Sequence, residues 1–358
     1  MSWPATRTVP VSRRRNEMSP WTTPVRSAGM TGLGLGCVRL GSVTAGVGHR
    51  ASVRLIHAAV ELGVTFFDTA DAYGDGASEA LLGSALRSRR DGVTLATKGG
   101  YSFRERSTLE RRARLLAATA AGYLRRRRRD MSSGAPSEGV AAPTSGYGTQ
   151  DFSPAALTSA LDASLRRLRT DHVEIYQLHG PRDVVDDDVR GWAASMAAAG
   201  KIGCLGVGAE NTDQARRWCH SDVIESLQLP FGVLDPELGE QVIPEAVSTG
   251  KRVIARGVLG AGLLVGSGTG SSKQARVDAL RHLAERTGIS LVALALGYVR
   301  ARPRAGMIDT ILVGASSPEH VRTAAAALRA DPLEDTVLDE LDAIAVQHTP
   351  SSAVDDGG

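Results

Sequence analysis

Residues 66–74 read FFDTADAYG and follow directly on Val64 and Thr65. The run VTFF is short and rich in β-branched and aromatic residues, which predicts a buried strand. The strand ends in Asp68, and Tyr73 follows five positions later on the same predicted loop. Because functional side chains concentrate on loops held by a rigid scaffold, this strand end is a candidate site as well as a fold element.

The pattern of a short apolar run followed by a stretch of helical length recurs along the chain. We predict strands at residues 32–37, 64–68, 93–98, 172–179, 201–208, 223–228, 251–256 and 309–314. Eight repeats of strand and helix predict an α/β fold that closes into a single-domain (β/α)8 barrel, the TIM barrel. An open, doubly wound parallel sheet is the alternative.

Amphipathic segments between these runs predict the helices. They are residues 53–62, 77–88, 153–168, 189–199, 213–218, 239–248, 277–288 and 318–328, with a last helix at 334–345. Ser153 followed by Pro154 has the pattern of an N-cap and a first-turn proline.

Three segments fall outside the repeat. The first two are the chain ends: we expect a disordered N-terminal extension at 1–28 and a disordered tail at 349–358, on either side of a barrel domain at 29–348. Within the barrel, a long insertion at about 101–150 follows the third strand. It holds a helix-like stretch at 107–130 and then a Gly/Ser/Pro-rich stretch, which predicts a loop.

Composition narrows the class of protein. The net charge of +3 over 358 residues is small, which argues against a nucleic-acid-binding face, and Arg125–Arg129 fits a solvated helix end. The three cysteines are widely spaced, so neither a disulfide framework nor a metal site is predicted. No secretion signal or membrane-spanning run is present in the sequence, and we expect a cytoplasmic protein.

Three ionisable residues end predicted strands, namely Asp68, Lys98 and His179. Barrel enzymes carry their chemistry at the C-terminal strand ends, where Tyr73 also lies. Any one of these residues alone could simply be a polar residue at the point where a strand reaches solvent. Lysine is rare here, with only four among 42 basic residues, so the convergence of all four side chains favours a catalytic site.

The four residue types suit a proton donor for a carbonyl group. A nearby cation lowers the pKa of a phenol, and we predict that Lys98 does so for Tyr73. Asp68 would pair with Lys98, and His179 would donate a hydrogen bond to the carbonyl oxygen or share the proton with Tyr73. None of these groups supplies electrons, so the site implies a hydride-donating cofactor.

The segments FFDTADAYG, LATKGG (95–100) and IYQLHG (175–180) resemble three signature segments of the aldo-keto reductases, over roughly residues 30–330. Asp68, Tyr73, Lys98 and His179 fall on the catalytic tetrad of that family. The resemblance implies a metal-independent NAD(P)H-dependent oxidoreductase. It would reduce an aldehyde or ketone, such as a sugar or natural-product carbonyl, with Tyr73 as general acid.

The resemblance also implies cofactor-binding positions. These are Gly36, Cys37, Val38, Gly208, Ala209, Gln228, Arg256, Gly257, Leu259, Gly314, Ser316, His320 and Arg322. Gly208 and Ala209 stand where many members carry Ser-Asn, and His320 stands where an arginine often grips the 2′-phosphate. Arg322 is a substitute for that arginine, so NADP(H) is favoured, with NAD(H) as the alternative. The glycine-rich segments would alternatively be ordinary turns.

The expected partner is a small-molecule carbonyl substrate, with no nucleic acid and no membrane; the sequence does not indicate an oligomeric state. Tyr101 and Phe103, at the start of the insertion, are candidate substrate contacts, unless the insertion only decorates the surface. An aldose or sugar dehydrogenase working in the oxidative direction is the alternative function. A nicotinamide-binding regulatory subunit is a further alternative, against which the complete tetrad argues.

Overall fold

The computed structural model describes residues 32–40, 48–101, 148–181, 187–266 and 273–346. The predicted N-terminal extension and C-terminal tail lie outside the described residues. So do Phe103, the helix predicted at 107–130 and most of the insertion.

The eight strands pair in parallel and in chain order, and the last strand pairs with the first. They are β1 (Gly32–Gly36), β2 (Phe66–Asp68), β3 (Thr94–Gly99), β4 (Val173–His179), β5 (Ile202–Gly208), β6 (Ser226–Pro230), β7 (Arg252–Arg256) and β8 (Thr310–Gly314). Each lies within two or three residues of a predicted run, so the predicted (β/α)8 barrel is confirmed.

Helices surround the barrel. In the described residues they are α1 (His49–Glu61), α2 (Ala77–Ala85), α3 (Pro154–Leu168), α4 (Asp187–Ala198), α5 (Thr212–Cys219), α6 (Glu237–Gln241), α7 (Ile243–Ser248), α8 (Gln274–Thr287), α9 (Leu291–Ala301), α10 (Pro318–Arg329) and α11 (Asp335–Val346). The Ser153 hydroxyl accepts a hydrogen bond from the Ala156 N–H, as the N-cap assignment for α3 predicts. None of these helices is both long and apolar enough to span a membrane.

Two helical predictions need correction. The helix expected at 239–248 is two short helices, α6 and α7, with Pro244 in the first turn of α7. Proline has no N–H to donate to the preceding turn, so it suits a helix start and not a helix interior. In addition, α9 was not predicted. Its sequence LVALALGYVRA is mostly apolar and largely buried, so it lacks the polar stripe by which an amphipathic helix is recognised.

The inward-facing side chains of the strands form a compact core inside the barrel. Its members are Phe66, Ala96, Ile175, Cys204, Ile254 and Leu312. Gly34 faces the same space, where an added Cβ would stand 2.5 Å from the Leu312 Cδ2 atom. Because side chains alternate along a strand, the inward positions beyond this layer reach the C-terminal mouth of the barrel.

Candidate active site

A buried ion pair joins β2 to β3 at the mouth. The Lys98 ammonium lies 2.6 and 2.7 Å from the two carboxylate oxygens of Asp68 and donates a third hydrogen bond to the Thr69 carbonyl at 2.9 Å. The amide groups of Gln177 and Gln228 donate to Asp68 Oδ1 at 3.1 and 2.7 Å. Both charges are therefore fully hydrogen-bonded, as a charge pair this deep in a protein requires.

Tyr73 lies on the loop between β2 and α2. The Tyr73 N–H donates to the Ala70 carbonyl, and the Asp71 N–H donates to the Lys98 carbonyl, both at 3.1 Å. The Lys98 ammonium stands 5.3 Å from the centre of the Tyr73 ring. The His179 ring, at the end of β4, meets the Tyr73 ring edge to face with 6.0 Å between ring centres. The structure thus brings the four predicted catalytic residues together.

The electrostatic environment of Tyr73 differs from the prediction. Burial, followed by the negative charge of Asp68, raises the pKa of the Tyr73 phenol well above its usual value. Among the groups that lower this pKa, the Arg256 guanidinium contributes most. The predicted lowering by Lys98 is wrong as a net effect, because burial dominates and Asp68 neutralises the Lys98 ammonium.

His179 is held in its neutral form. Burial, together with the positive charges of Lys98 and Arg256, lowers the pKa of the imidazole to about 3. A neutral imidazole donates one N–H and accepts at the other nitrogen. His179 can therefore donate a hydrogen bond to a carbonyl oxygen at neutral pH, but it does not act there as a charged acid.

Tyr101 and Gln150 flank His179 from the two ends of the insertion. The Tyr101 ring packs edge to face on the His179 ring at 5.1 Å, and Tyr101 forms an antiparallel bridge with Gln150. The Gln150 amide donates to the carbonyls of His179 and Gly180 at 3.2 and 2.7 Å. Gln150 was not predicted as a site residue, since nothing near it in the sequence indicates a contact with β4.

Three glycines at strand ends leave space at the mouth. An added Cβ at Gly36 or Gly208 would have its nearest neighbour at 3.9 Å, and one at Gly314 would meet nothing within 4 Å. Packing inside the barrel therefore does not require glycine at these positions. They are three of the positions at which the predicted nicotinamide cofactor would need space.

The ends of β5, β6 and β7 are linked through Ala209. Its N–H donates to the Gln228 carbonyl at 2.8 Å, and its carbonyl accepts from the Arg256 guanidinium at 3.0 Å. Both backbone groups of Ala209 are thus used within the protein. The Gln228 amide nitrogen is likewise committed to Asp68.

Positive-φ glycines shape the loop after β7, where Gly257, Gly260 and Gly262 have φ values of 71°, 61° and 103°. Leu259 in this loop is half-buried. A further cation, unforeseen from the sequence, lies here: Arg39 Nη2 is 3.6 Å from the position of an added Cβ on Gly262. The loops after β1 and β7 therefore approach each other.

The other predicted cofactor residues lie near the first turn of α10 and at the end of β1. The His320 ring contacts the Ser316 hydroxyl at 3.3 Å, and the Arg322 guanidinium pairs with Glu319. Val38 is half-buried, and Cys37 is fully buried, with its thiol directed at the Leu35 carbonyl. Burial raises the pKa of this thiol, so it is not a nucleophile here.

Comparison with known proteins shows the family of the chain. The profile of the Aldo/keto reductase family matches residues 32–346. The chain is 26% identical over 241 residues to the aldo-keto reductase YhdN of Bacillus subtilis. This match covers 66% of the chain and 61% of YhdN, which is less than two thirds of the length of that relative. It is 27% identical to the 6-dehydroglucose reductase of Novosphingobium aromaticivorans, over 78% of this chain and 80% of that protein.

A solved structure is also similar. The holo form of aldo-keto reductase AKR11C1 from Bacillus halodurans superimposes with a TM-score of 0.69 at 26% identity, covering 87% of this chain and 91% of that one. Since the family profile spans the barrel from its first strand to its last described helix, the chain belongs to the aldo/keto reductase family of NAD(P)H-dependent oxidoreductases.

Proposed function

We propose that this protein reduces an aldehyde or ketone at the mouth of the barrel, with Tyr73 as the proton donor. The observation that carries the proposal is the grouping of Tyr73, His179 and the Lys98–Asp68 pair at the C-terminal mouth of the barrel. A bound nicotinamide cofactor would supply the hydride.

The residues that would hold the cofactor follow from their positions. Gly36, Gly208 and Gly314 leave room for the nicotinamide end. The loop after β7, with its positive-φ glycines and the neighbouring Arg39, suits a pyrophosphate, because backbone N–H groups and guanidinium groups both bind phosphate oxygens. The group at the start of α10 would bind the adenosine half of the cofactor.

A preference for NADP(H) over NAD(H) is part of the proposal. Ser316 and His320 contact each other at the start of α10, and Arg322, two residues further on, pairs with Glu319. The Arg322–Glu319 pair is exposed, and such pairs stabilise a protein by roughly 0–1 kcal/mol, so a 2′-phosphate can compete for the guanidinium.

Proton transfer is assigned to Tyr73 because its phenol is protonated at neutral pH. An alkoxide formed by hydride addition is a stronger base than a phenolate, so a phenol with a raised pKa can still protonate it. His179, which is neutral, would hold the substrate oxygen through one N–H. The Asp68–Lys98 pair keeps an ammonium group 5.3 Å from the ring centre of the phenolate that results.

The substrate class that we favour is a polar, sugar-like carbonyl. The chain has only 4% aromatic residues, and polar side chains and glycines dominate the mouth. A relative at 27% identity is a 6-dehydroglucose reductase, which acts on a sugar carbonyl. Tyr101, packed on His179, is the aromatic residue that we expect to contact the substrate. Oxidation of a sugar hydroxyl is the second candidate, favoured by the positive charge of Arg256 near Tyr73.

Replacement of Tyr73 by phenylalanine tests the proposal. We expect Tyr73→Phe to bind NADPH as the wild type does, while its turnover with a panel of aldehydes and aldoses falls by about 10²–10⁴-fold. Tyr176→Phe is the matched control, because the Tyr176 hydroxyl is buried on the outer face of β4 with no hydrogen-bond partner among the described residues. Equal turnover by Tyr73→Phe and wild type would reject Tyr73 as the proton donor.

A further inference from the structure

Arg256 occupies an unusual position at the mouth. It ends β7, where it pairs in register with Pro230 at the end of β6. Its guanidinium nevertheless reaches the Ala209 carbonyl just beyond β5, at 3.0 Å. Since β6 lies between β5 and β7 in the barrel, this side chain crosses β6 to reach the residue that follows Gly208, the partner of Gln228 in the sheet.

Arg256 is also a cation without an acidic partner. Within the described part of the chain, no carboxylate lies within 4 Å of its guanidinium, and the Ala209 carbonyl is its hydrogen-bond acceptor. Asp68, the acid at the centre of the mouth, is already neutralised by Lys98 and accepts two further amide hydrogen bonds. With His179 and Tyr73 both neutral, Arg256 is the positive charge near them that has no carboxylate in direct contact among the described residues.

We propose that Arg256 is an electrostatic determinant of reaction direction, and that its charge favours oxidation of an alcohol over reduction of a carbonyl. The inference rests on the proposed function, because it concerns the same site. It adds a role for a residue outside the tetrad, through its charge and through the hydrogen bond that holds it at the ends of β5 and β7.

The positive charge of Arg256 would affect both the hydride transfer and the proton transfer. In the oxidative direction the alcohol carbon gives a hydride to the oxidised nicotinamide, and the alcohol hydroxyl gives its proton to a Tyr73 phenolate, leaving a carbonyl, reduced cofactor and a neutral phenol. A nearby cation disfavours the positively charged oxidised ring relative to the neutral reduced ring. The same cation stabilises the phenolate that accepts the proton.

The electrostatics of the site have the sign that this proposal needs. The Arg256 charge lowers the pKa of Tyr73 and also that of His179, so it reaches both side chains. For Tyr73 it contributes more to this lowering than any other group. The protein groups that act against it on Tyr73 are the carboxylates of Asp68 and Asp71 and the thiol of Cys37, in addition to burial.

Measurements of cofactor affinity test the proposal, and they do not require a known substrate. The quantity to measure is the Kd of NADP⁺ divided by the Kd of NADPH, by tryptophan fluorescence titration of the wild type and of Arg256→Gln. Glutamine keeps an N–H donor for the Ala209 carbonyl but removes the charge. We expect this ratio to fall about tenfold in Arg256→Gln, because oxidised cofactor gains affinity relative to reduced cofactor.

Two further variants control the test. Arg256→Lys keeps the positive charge and should retain most of the wild-type ratio. Arg252→Gln removes an equal charge from the opposite end of β7 and should leave the ratio unchanged. Thermal unfolding of each variant checks that it is folded. An unchanged ratio in Arg256→Gln, or an equal fall in Arg252→Gln, would overturn the role of Arg256.

The outcomes separate this inference from the proposed function. If the wild type binds neither cofactor form, the proposed function fails and the inference fails with it. If the wild type binds both forms, and Tyr73→Phe loses turnover while Arg256→Gln keeps the wild-type ratio, the proposed function stands and only the role of Arg256 is rejected.

Discussion

At the scale of single residues, Asp68 determines how charge is distributed in the site. Its carboxylate accepts two hydrogen bonds from Lys98 and one each from Gln177 and Gln228. The charge of Lys98 is therefore largely cancelled at a distance, and the pair acts on its surroundings more as a dipole than as an ion. Arg256 has no such carboxylate partner among the described residues, and its charge lowers the pKa of Tyr73.

The buried imidazole of His179 should make the free energy of unfolding depend on pH. Its pKa is about 3 in the folded protein, whereas an unperturbed histidine has a pKa of 6.5. As the pH falls below about 6.5, the unfolded chain binds a proton that the folded imidazole does not, so stability is lost as the pH falls towards 3. We expect this contribution to approach about 1.4 kcal/mol for each pH unit lost below that value.

Unfolding by urea at several pH values between about 6.5 and 4.5 measures this contribution. His179→Gln should show a shallower loss of unfolding free energy than the wild type over that range. His282→Gln, which removes an imidazole with an 86% exposed side chain, is the control and should follow the wild type more closely. A wild type and a His179→Gln variant with the same pH dependence would contradict the neutral, buried state of His179.

At the scale of elements, helices α2 and α3 pack unusually closely at Gly83. An added Cβ there would stand 2.4 Å from the carbonyl carbon and oxygen of Leu168, which are backbone atoms and cannot move aside easily. Gly83→Ala should therefore destabilise the protein by about 1–3 kcal/mol, although alanine is the better helix former. The variant is checked by urea unfolding.

Gly191 in α4 provides the opposite case for comparison. An added Cβ at this helical glycine meets nothing within 4 Å. Gly191→Ala should thus stabilise the protein by about 0.5–1 kcal/mol, the usual gain from replacing glycine inside a helix. If the two substitutions changed stability in the same direction, close packing at Gly83 would not be the cause.

The strands could be predicted from the sequence because buried parallel strands appear as short, nearly continuous apolar runs. An apolar sequence also explains why α9 was not predicted, since a helix buried on most sides lacks a polar stripe. The division between α6 and α7 depends on one proline, whose effect was underestimated when the segment was treated as a single helix.

The proximity of the proposed catalytic residues could also be predicted from the strands. Asp68, Lys98 and His179 end neighbouring parallel strands, whose C-terminal ends must meet at one rim. The positions of Gln150 and Arg39 depend on how distant loops approach each other, which strand periodicity does not encode. The electrostatic role proposed for Arg256 depends on the pairing of Lys98 with Asp68, and so on distances that only the folded chain provides.

At the scale of the whole molecule, the barrel combines a packed interior with an open mouth along the same strands. In β1, Gly34 and Gly36 face the same side, two residues apart. An added Cβ at Gly34 would meet Leu312, Thr310 and Phe66 within 3.2 Å, whereas one at Gly36 would have its nearest neighbour at 3.9 Å. Packing therefore requires glycine at position 34 but not at position 36, which belongs to the proposed cofactor site.

Alanine at each of these two positions should separate folding from cofactor binding. Gly34→Ala should lower the free energy of unfolding by about 1–3 kcal/mol, because the methyl group overpacks the core inside the barrel. Gly36→Ala should unfold like the wild type but bind NADPH about tenfold more weakly, because its methyl group occupies space that the proposed cofactor site needs. Urea unfolding and fluorescence titration of both variants measure the two effects. Wild-type affinity for NADPH in Gly36→Ala would show that the cofactor does not contact the end of β1, and wild-type stability in Gly34→Ala would show that the barrel interior is less tightly packed than these distances require.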